Sequence, residues 1–241
     1  YTAIPKRVLE LGQLVKGDSI VEFEEPSLVK DTILNASGAQ IRLIGENKFD
    51  EIHLSDGAII TSHVASNSES PILEIDANLV DIDSASFIDV SGKGLGPIGT
   101  GTNYGGSYGG LGGSANTGTP NEVFGDAYKP IDFGRGGHGN GPDTRGGGAL
   151  HLQVTNELKL DGQIKSEGSI CVYVDCGTGS GGSIWIETNV LSGNGKIAAD
   201  GYSRGVNSGS GGGGGRVALY FQDASQFNLE NISASGGNMY Y

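Results

Sequence analysis

The sequence predicts an all-β fold, a right-handed parallel β-solenoid (β-helix) with glycine-rich loop insertions. Three observations predict it. First, three glycine runs are each followed by apolar alternation. Ala149-Leu150-His151-Leu152-Gln153-Val154 follows the run ending at Gly148, Ser183-Ile184-Trp185-Ile186-Glu187 follows Gly177–Gly182, and Arg216-Val217-Ala218-Leu219-Tyr220-Phe221 follows Gly209–Gly215. A period of two is the signature of a strand with one buried face. Second, each such strand leads to an isoleucine four residues before a glycine: Ile164 and Gly168, Ile197 and Gly201, Ile232 and Gly236. Leu73-Glu74-Ile75 leading to Ile88 and Gly92 is a fourth copy. Third, the closing glycines lie 76, 33 and 35 residues apart, a period of 33–35 with one insertion in the first gap. Self-similarity of this kind favours an array in which each repeat buries its core against the next.

The chain is read as two parts. Residues 1–30 carry only short apolar pieces with Pro5 and Pro26, and form an N-terminal cap or linker with one strand near Ser19–Phe23. Residues 31–241 form the β-solenoid, with a glycine-rich insertion at 92–148. From Asp31 short apolar blocks recur at Ile33-Leu34, Ile41–Ile44, Ile52–Leu54 and Ile59-Ile60. Turn signals separate them at Asn35–Gly38, Gly45–Asn47 and Ser55–Gly57. No helical period of useful length appears.

The insertion holds 21 glycines in 57 residues, together with Tyr104, Tyr108, Phe124, Tyr128 and Phe133. Glycine supplies no side-chain burial and loses the most backbone entropy, so this is no ordinary strand or helix. Three forms are open: extended segments lying side by side, tight loops with positive φ, or solvated tethers. Recurrence of each run directly before a buried strand favours an ordered role. The five rings mark a candidate interaction loop, because exposed aromatic patches mark contact sites; inward packing on the flank is the alternative.

Strand alternation sets a second candidate. With Leu150, Leu152, Ile184, Ile186, Val217 and Leu219 inward, His151 and Trp185 stack on the outer face, and Gln153, Glu187 and Tyr220 form the next outward column. A ring face beside amides and carboxylates is what a sugar platform needs. The competing reading is that the glycine-rich loop covers Trp185, which then only fills space.

Composition removes several classes. Glycine is 44 of 241 residues without a collagen period, and the net charge is −13. That charge argues against nucleic acid and anionic membranes, both of which call for a basic patch. No apolar run reaches ~18 residues, so no membrane insertion is expected. Cys171 and Cys176 have neither the ligand company of a metal site nor CxxC spacing. They are expected to form a local disulfide, with two free thiols as the alternative. Asn35 and Asn231 head glycosylation sequons that matter if the source is eukaryotic. Asp81 and Asp83 share a face and could take a cation such as Ca2+. The glycine runs lack the aspartates of calcium-binding repeats, so no cofactor and no metal site is expected. No nucleophile elbow, P-loop lysine or dinucleotide fingerprint is present. The chain opens on Tyr1 without an initiator methionine, which reads as a mature or excised piece of a longer polypeptide.

The order IDVSGKG (from Ile88), GGSYGGLGG (Gly105–Gly113), FGDAYKPIDFG (from Phe124), GGGALHL, GSGGSIWI and GGGGGRVALYF resembles a glycine-rich repeat module of large secreted and surface proteins of bacteria and protists. The resemblance spans roughly Asp31 to Gly237 and implies an extracellular, cell-surface location. It brings no catalytic residues. The expected function is a non-enzymatic structural or adhesive module, such as a subunit of a surface fibre or filament, partnered by itself or by other surface proteins. The alternative is a carbohydrate-binding module or a β-helical polysaccharide-active enzyme domain, with polysaccharide as partner.

Overall fold

Each stretch of alternation forms a strand, and all the named strands pair in parallel. The computed structural model describes residues 7–11, 20–23, 32–115, 117–139, 143–173, 175–203 and 209–238. Most of the 1–30 segment therefore lies outside the described residues, apart from β1 (Arg7–Leu11) and β2 (Ile20–Phe23). β3 (Thr32–Ser37), β4 (Gln40–Leu43), β5 (Glu46–Lys48), β6 (Glu51–Ser55) and β7 (Ile59–Thr61) follow. Then come β8 (Leu73–Ile82), β9 (Phe87–Asp89), β10 (Ala149–Leu160), β11 (Gln163–Lys165), β12 (Ser183–Gly193), β13 (Lys196–Ala198), β14 (Arg216–Phe227) and β15 (Ile232–Ser233).

The strands divide between two sheets. The larger runs β1-β3-β6-β8-β10-β12-β14, with β5 also on β8; the smaller runs β15-β13-β11-β9-β7-β4-β2. The repeat seen in the sequence is a repeat in space. Leu73, Leu150, Ile184 and Val217 share one register column of the larger sheet. Ile88, Ile164, Ile197 and Ile232 share one in the smaller. Inward side chains from both sheets merge into a single apolar core that includes Leu34, Ile52, Ile75, Leu152, Ile186, Ile41, Ile88 and Ile197.

The fold class departs from expectation here. Among the described residues the strands form two parallel sheets of eight and seven strands, and no closed right-handed solenoid is formed. Each repeat supplies one long and one short strand. The chain that would have closed the third side is glycine-rich, and glycine offers no side chains for a pleated, packed face. That chain instead forms a layer of close backbone contacts. Gly106 donates to Thr178 O, Gly181 to Gly213 O, Gly213 back to Gly106 O, and Gly110 to Gly214 O, at 2.8–3.0 Å. Among the described glycines of residues 92–148, φ is positive only at Gly92, Gly101 and Gly125. Close approach, and not left-handed backbone, is what most of these positions require. A Cβ on Gly177 would stand 1.6 Å from Tyr104 O, and one on Gly106 would stand 1.8 Å from Arg135 O.

Candidate functional site

The insertion is anchored through its rings. Tyr108 is fully buried; its hydroxyl lies 2.7 Å from Ser183 Oγ, which donates to Asp132 O at 2.6 Å. The Arg216 guanidinium lies 5.4 Å from the Tyr108 ring and donates through Nη2 to Phe124 O at 2.8 Å. Burial pushes the Tyr108 phenol up to about 12. Tyr104 is also buried, 5.9 Å from the His138 ring, and Phe133 packs with Ala65, Leu95 and Ala149 in a second small core. Of the five rings proposed as an interaction loop, Tyr104, Tyr108 and Phe133 are therefore interior and Phe124 is half-buried, tilted against Tyr108 at 5.1 Å. Only Tyr128, 76% exposed, stands in solvent.

The strand face is arranged as the alternation dictates. His151 pairs in register with Trp185, and Gln153 pairs with Glu187, which pairs with Tyr220. The His151 and Trp185 rings stack at 3.9 Å and 16°. Glu74 Oε2 lies 4.0 Å from His151 Nδ1, and Glu187 Oε2 lies 3.8 Å from Nε2, both beyond hydrogen-bond reach. Trp185 is half-buried because the insertion crosses it. Lys129 Nζ lies 5.7 Å from its ring centroid, and Tyr220 Oη donates to Tyr128 O at 2.8 Å. Backbone N–H groups of Tyr128 and Lys129 close a turn on Asp126 Oδ1 and hold that carboxyl below its usual range. Trp185 Nε1 and His151 Nε2 are buried without a hydrogen-bond partner. The stack is thus closed on one side by His151, and Lys129 lies near the Trp185 ring.

The open ring is one column further along. Gln153, Thr155, Glu187, Asn189, Tyr220 and Gln222 border a depression of 370 Å³ that spans β10, β12 and β14. Tyr220 is 43% exposed there. Sequence reasoning reached Gln153, Glu187 and Tyr220 and missed Thr155, Asn189 and Gln222. The register slips between Val154 and Glu157 and again between Val190 and Ser192. Thr155, Asn189 and Gln222 each stand two residues beyond Gln153, Glu187 and Tyr220, and all three are exposed, so the same alternation carried one step further reaches them.

The remaining candidates sit apart. Cys171 and Cys176 form a disulfide with Cα atoms 6.2 Å apart, which points to a non-reducing environment. Asn35 lies mid-strand with Nδ2 donating to Glu10, and Asn231 donates to Gly195 O. Asp81 is paired with Lys159 at 3.2 Å. Asp83 is opposed by desolvation, but hydrogen bonds from Ser86 and from the Asp56 and Ala85 amides outweigh it and lower its pKa. Among the described residues no group of three or more His, Cys, Asp or Glu could hold a metal ion, and no helix is long and apolar enough to cross a membrane. No protein-family model, curated protein or solved structure matches this chain.

Proposed function

We propose that the chain is a non-catalytic extracellular adhesive module that holds a neutral polysaccharide in the depression beside Tyr220. The observation that carries this reading is the exposed Tyr220 ring bordered by two glutamines, an asparagine, two threonines and one carboxylate. A ring supplies stacking for the apolar face of a sugar, and the amides and carboxylate supply donors and acceptors for its hydroxyls. The net charge of −13 repels acidic glycans and leaves neutral ones. The disulfide fits an extracellular setting.

Titration calorimetry with neutral oligosaccharides of the glucan, xylan and mannan classes tests it, with an alginate oligomer as the acidic control. Binding to a neutral oligosaccharide is expected, weakened about tenfold or more by Tyr220→Ala, a loss of ~1.4 kcal/mol. Absence of binding to all three neutral classes, or equal affinity after Tyr220→Ala, refutes the reading.

A further inference from the structure

β14 ends the larger sheet. β12 pairs with one of its edges, and among the described residues no strand lies on the other. β15 ends the smaller sheet in the same way. At this level the core columns lose their cover. Leu150 and Ile184 are fully buried, as are Leu152 and Ile186, yet Val217 and Leu219 in the same columns are only half-buried. In the next column Val154 and Thr188 are buried, whereas Phe221 is 40% exposed. Ile232 is half-buried where Ile197 is fully buried.

The exposed stretch has the character of a pairing edge. Val217–Gln222 carries no formal charge in a chain of net charge −13. It has no proline and no lysine, the usual guards of an unpaired strand. A partner must therefore offer a strand with the same alternation.

Among the described residues the other end of the molecule does not supply that partner. Arg216–Phe221 extends the half of the sheet built from Ser183–Thr188, Ala149–Val154 and Leu73–Ala77, and this half begins at the three-residue β5. β1, β3 and β6 lie under the other half, in line with Leu79–Ile82. A head-to-tail copy would set the five-residue β1 under the far half of β14 and leave Val217, Leu219 and Phe221 uncovered. The surface that matches this end in strand length and column position is the same end of a second copy.

We propose that two copies of the chain form an isologous dimer through antiparallel pairing of their β14 strands, with Leu219 on the twofold axis. Centring on Leu219 sets Val217 opposite the second copy's Phe221, Ala218 opposite Tyr220, and Arg216 opposite Gln222. Inward residues then meet inward residues, and outward meet outward. A slip of one residue would turn every inward side chain to the wrong face. Centring on Tyr220 would bring Asp223 against Val217. The twofold closes the assembly, so the product is a dimer and not a filament. This inference goes beyond the carbohydrate reading and does not rest on it.

Sedimentation equilibrium over a concentration series, combined with cysteine cross-linking, tests the proposal. The wild-type chain is expected to reach twice the monomer mass, and Leu219→Lys is expected to stay monomeric with an unchanged circular dichroism spectrum. Under mild oxidation Leu219→Cys is expected to give a covalent dimer. Val217→Cys alone is not, because the two copies of residue 217 stand four residues apart, ~14 Å, beyond disulfide reach. Mixing Val217→Cys with Phe221→Cys chains restores the covalent dimer. A wild-type monomer throughout the series, open-ended filaments, or Val217→Cys cross-linking to itself as readily as Leu219→Cys would each overturn the proposal. Oligosaccharide binding by Leu219→Lys is a separate readout, so loss of the dimer and loss of the sugar site are distinguishable.

Discussion

The phenol of Tyr108 donates to Ser183 Oγ at 2.7 Å in the interior, joining the glycine-rich insertion to the first residue of β12 across 75 positions of sequence. Ser183 spends its own proton on Asp132 O, so the phenol must be the donor. Tyr108→Phe keeps the ring and leaves the Ser183 oxygen without its donor. The expected cost is about 1–2 kcal/mol, or ~2–8 °C in melting temperature for a chain of this size. The pH dependence has a definite sign. Burial raises the folded pKa to about 12 from an ordinary 10.0. The neutral phenol is therefore favoured by folding, and its contribution is present below 10 and lost as pH climbs toward 12. Thermal melts across that range should fall less steeply for Tyr108→Phe than for the wild type.

Gly177 and Gly96 make a paired test of the glycine layer. A Cβ at Gly177 would fall 1.6 Å from a backbone oxygen, whereas one at Gly96 meets nothing within 4 Å. Gly177→Ala is expected to lose at least about 3 kcal/mol or fail to fold, and Gly96→Ala to stay within ~1 kcal/mol of the wild type. Equal melting temperatures for the two variants would contradict close backbone packing at residue 177.

Glu167 is half-buried, and burial pushes its carboxyl up, against the lowering influence of Lys165 and Lys196. A raised folded pKa means that folding favours the protonated form. Stability is then lost as pH rises from the ordinary 4.5 through the raised value. Glu167→Gln should therefore melt at a higher temperature than the wild type at pH 7. The difference should shrink as pH is lowered below 4, and a variant less stable at pH 7 would run against this sign.

The Cys171–Cys176 ring is short, so its closure contributes modestly. Replacing both cysteines by alanine should cost about 2 kcal/mol on the chain-entropy relation. Thiol titration of the denatured, unreduced protein should find no reactive thiol. The loop it closes exposes Val172 and Tyr173, and Ile170 just before it is exposed too.

How much of this was legible in the sequence varies by element. The alternation of Leu150, Ile184 and Val217 gave the strands, their inward faces and their register, because a period of two leaves one choice of face once a core exists. The lone isoleucines 88, 164, 197 and 232 marked the repeat, but one apolar residue sets no period, so the short strands that carry them were not foreseen. Closure was misread, because the glycine runs have no side chains and hence no periodicity from which a third side could be judged. The stack of Trp185 on His151 was visible in the alternation, but the crossing of Lys129 above it depends on where Arg216 holds Phe124 of the insertion, a contact across 92 residues with no local sign. β1 escaped notice because five residues with Glu10 among them are too few to establish a period.

A layer whose contacts are backbone against backbone has no side-chain code to say which residue belongs beside which, and one glycine could serve as well as the next. The layer resembles smooth rails. A few notches index them: Thr178 Oγ1 on Tyr202 O, Ser210 Oγ on Asn103 O, and Thr144 Oγ1 on Gly177 O. Removing one hydroxyl there deletes a single hydrogen bond on paper. What such a hydroxyl adds beyond that bond is a choice of register, naming which residue of one rail stands beside which residue of the next.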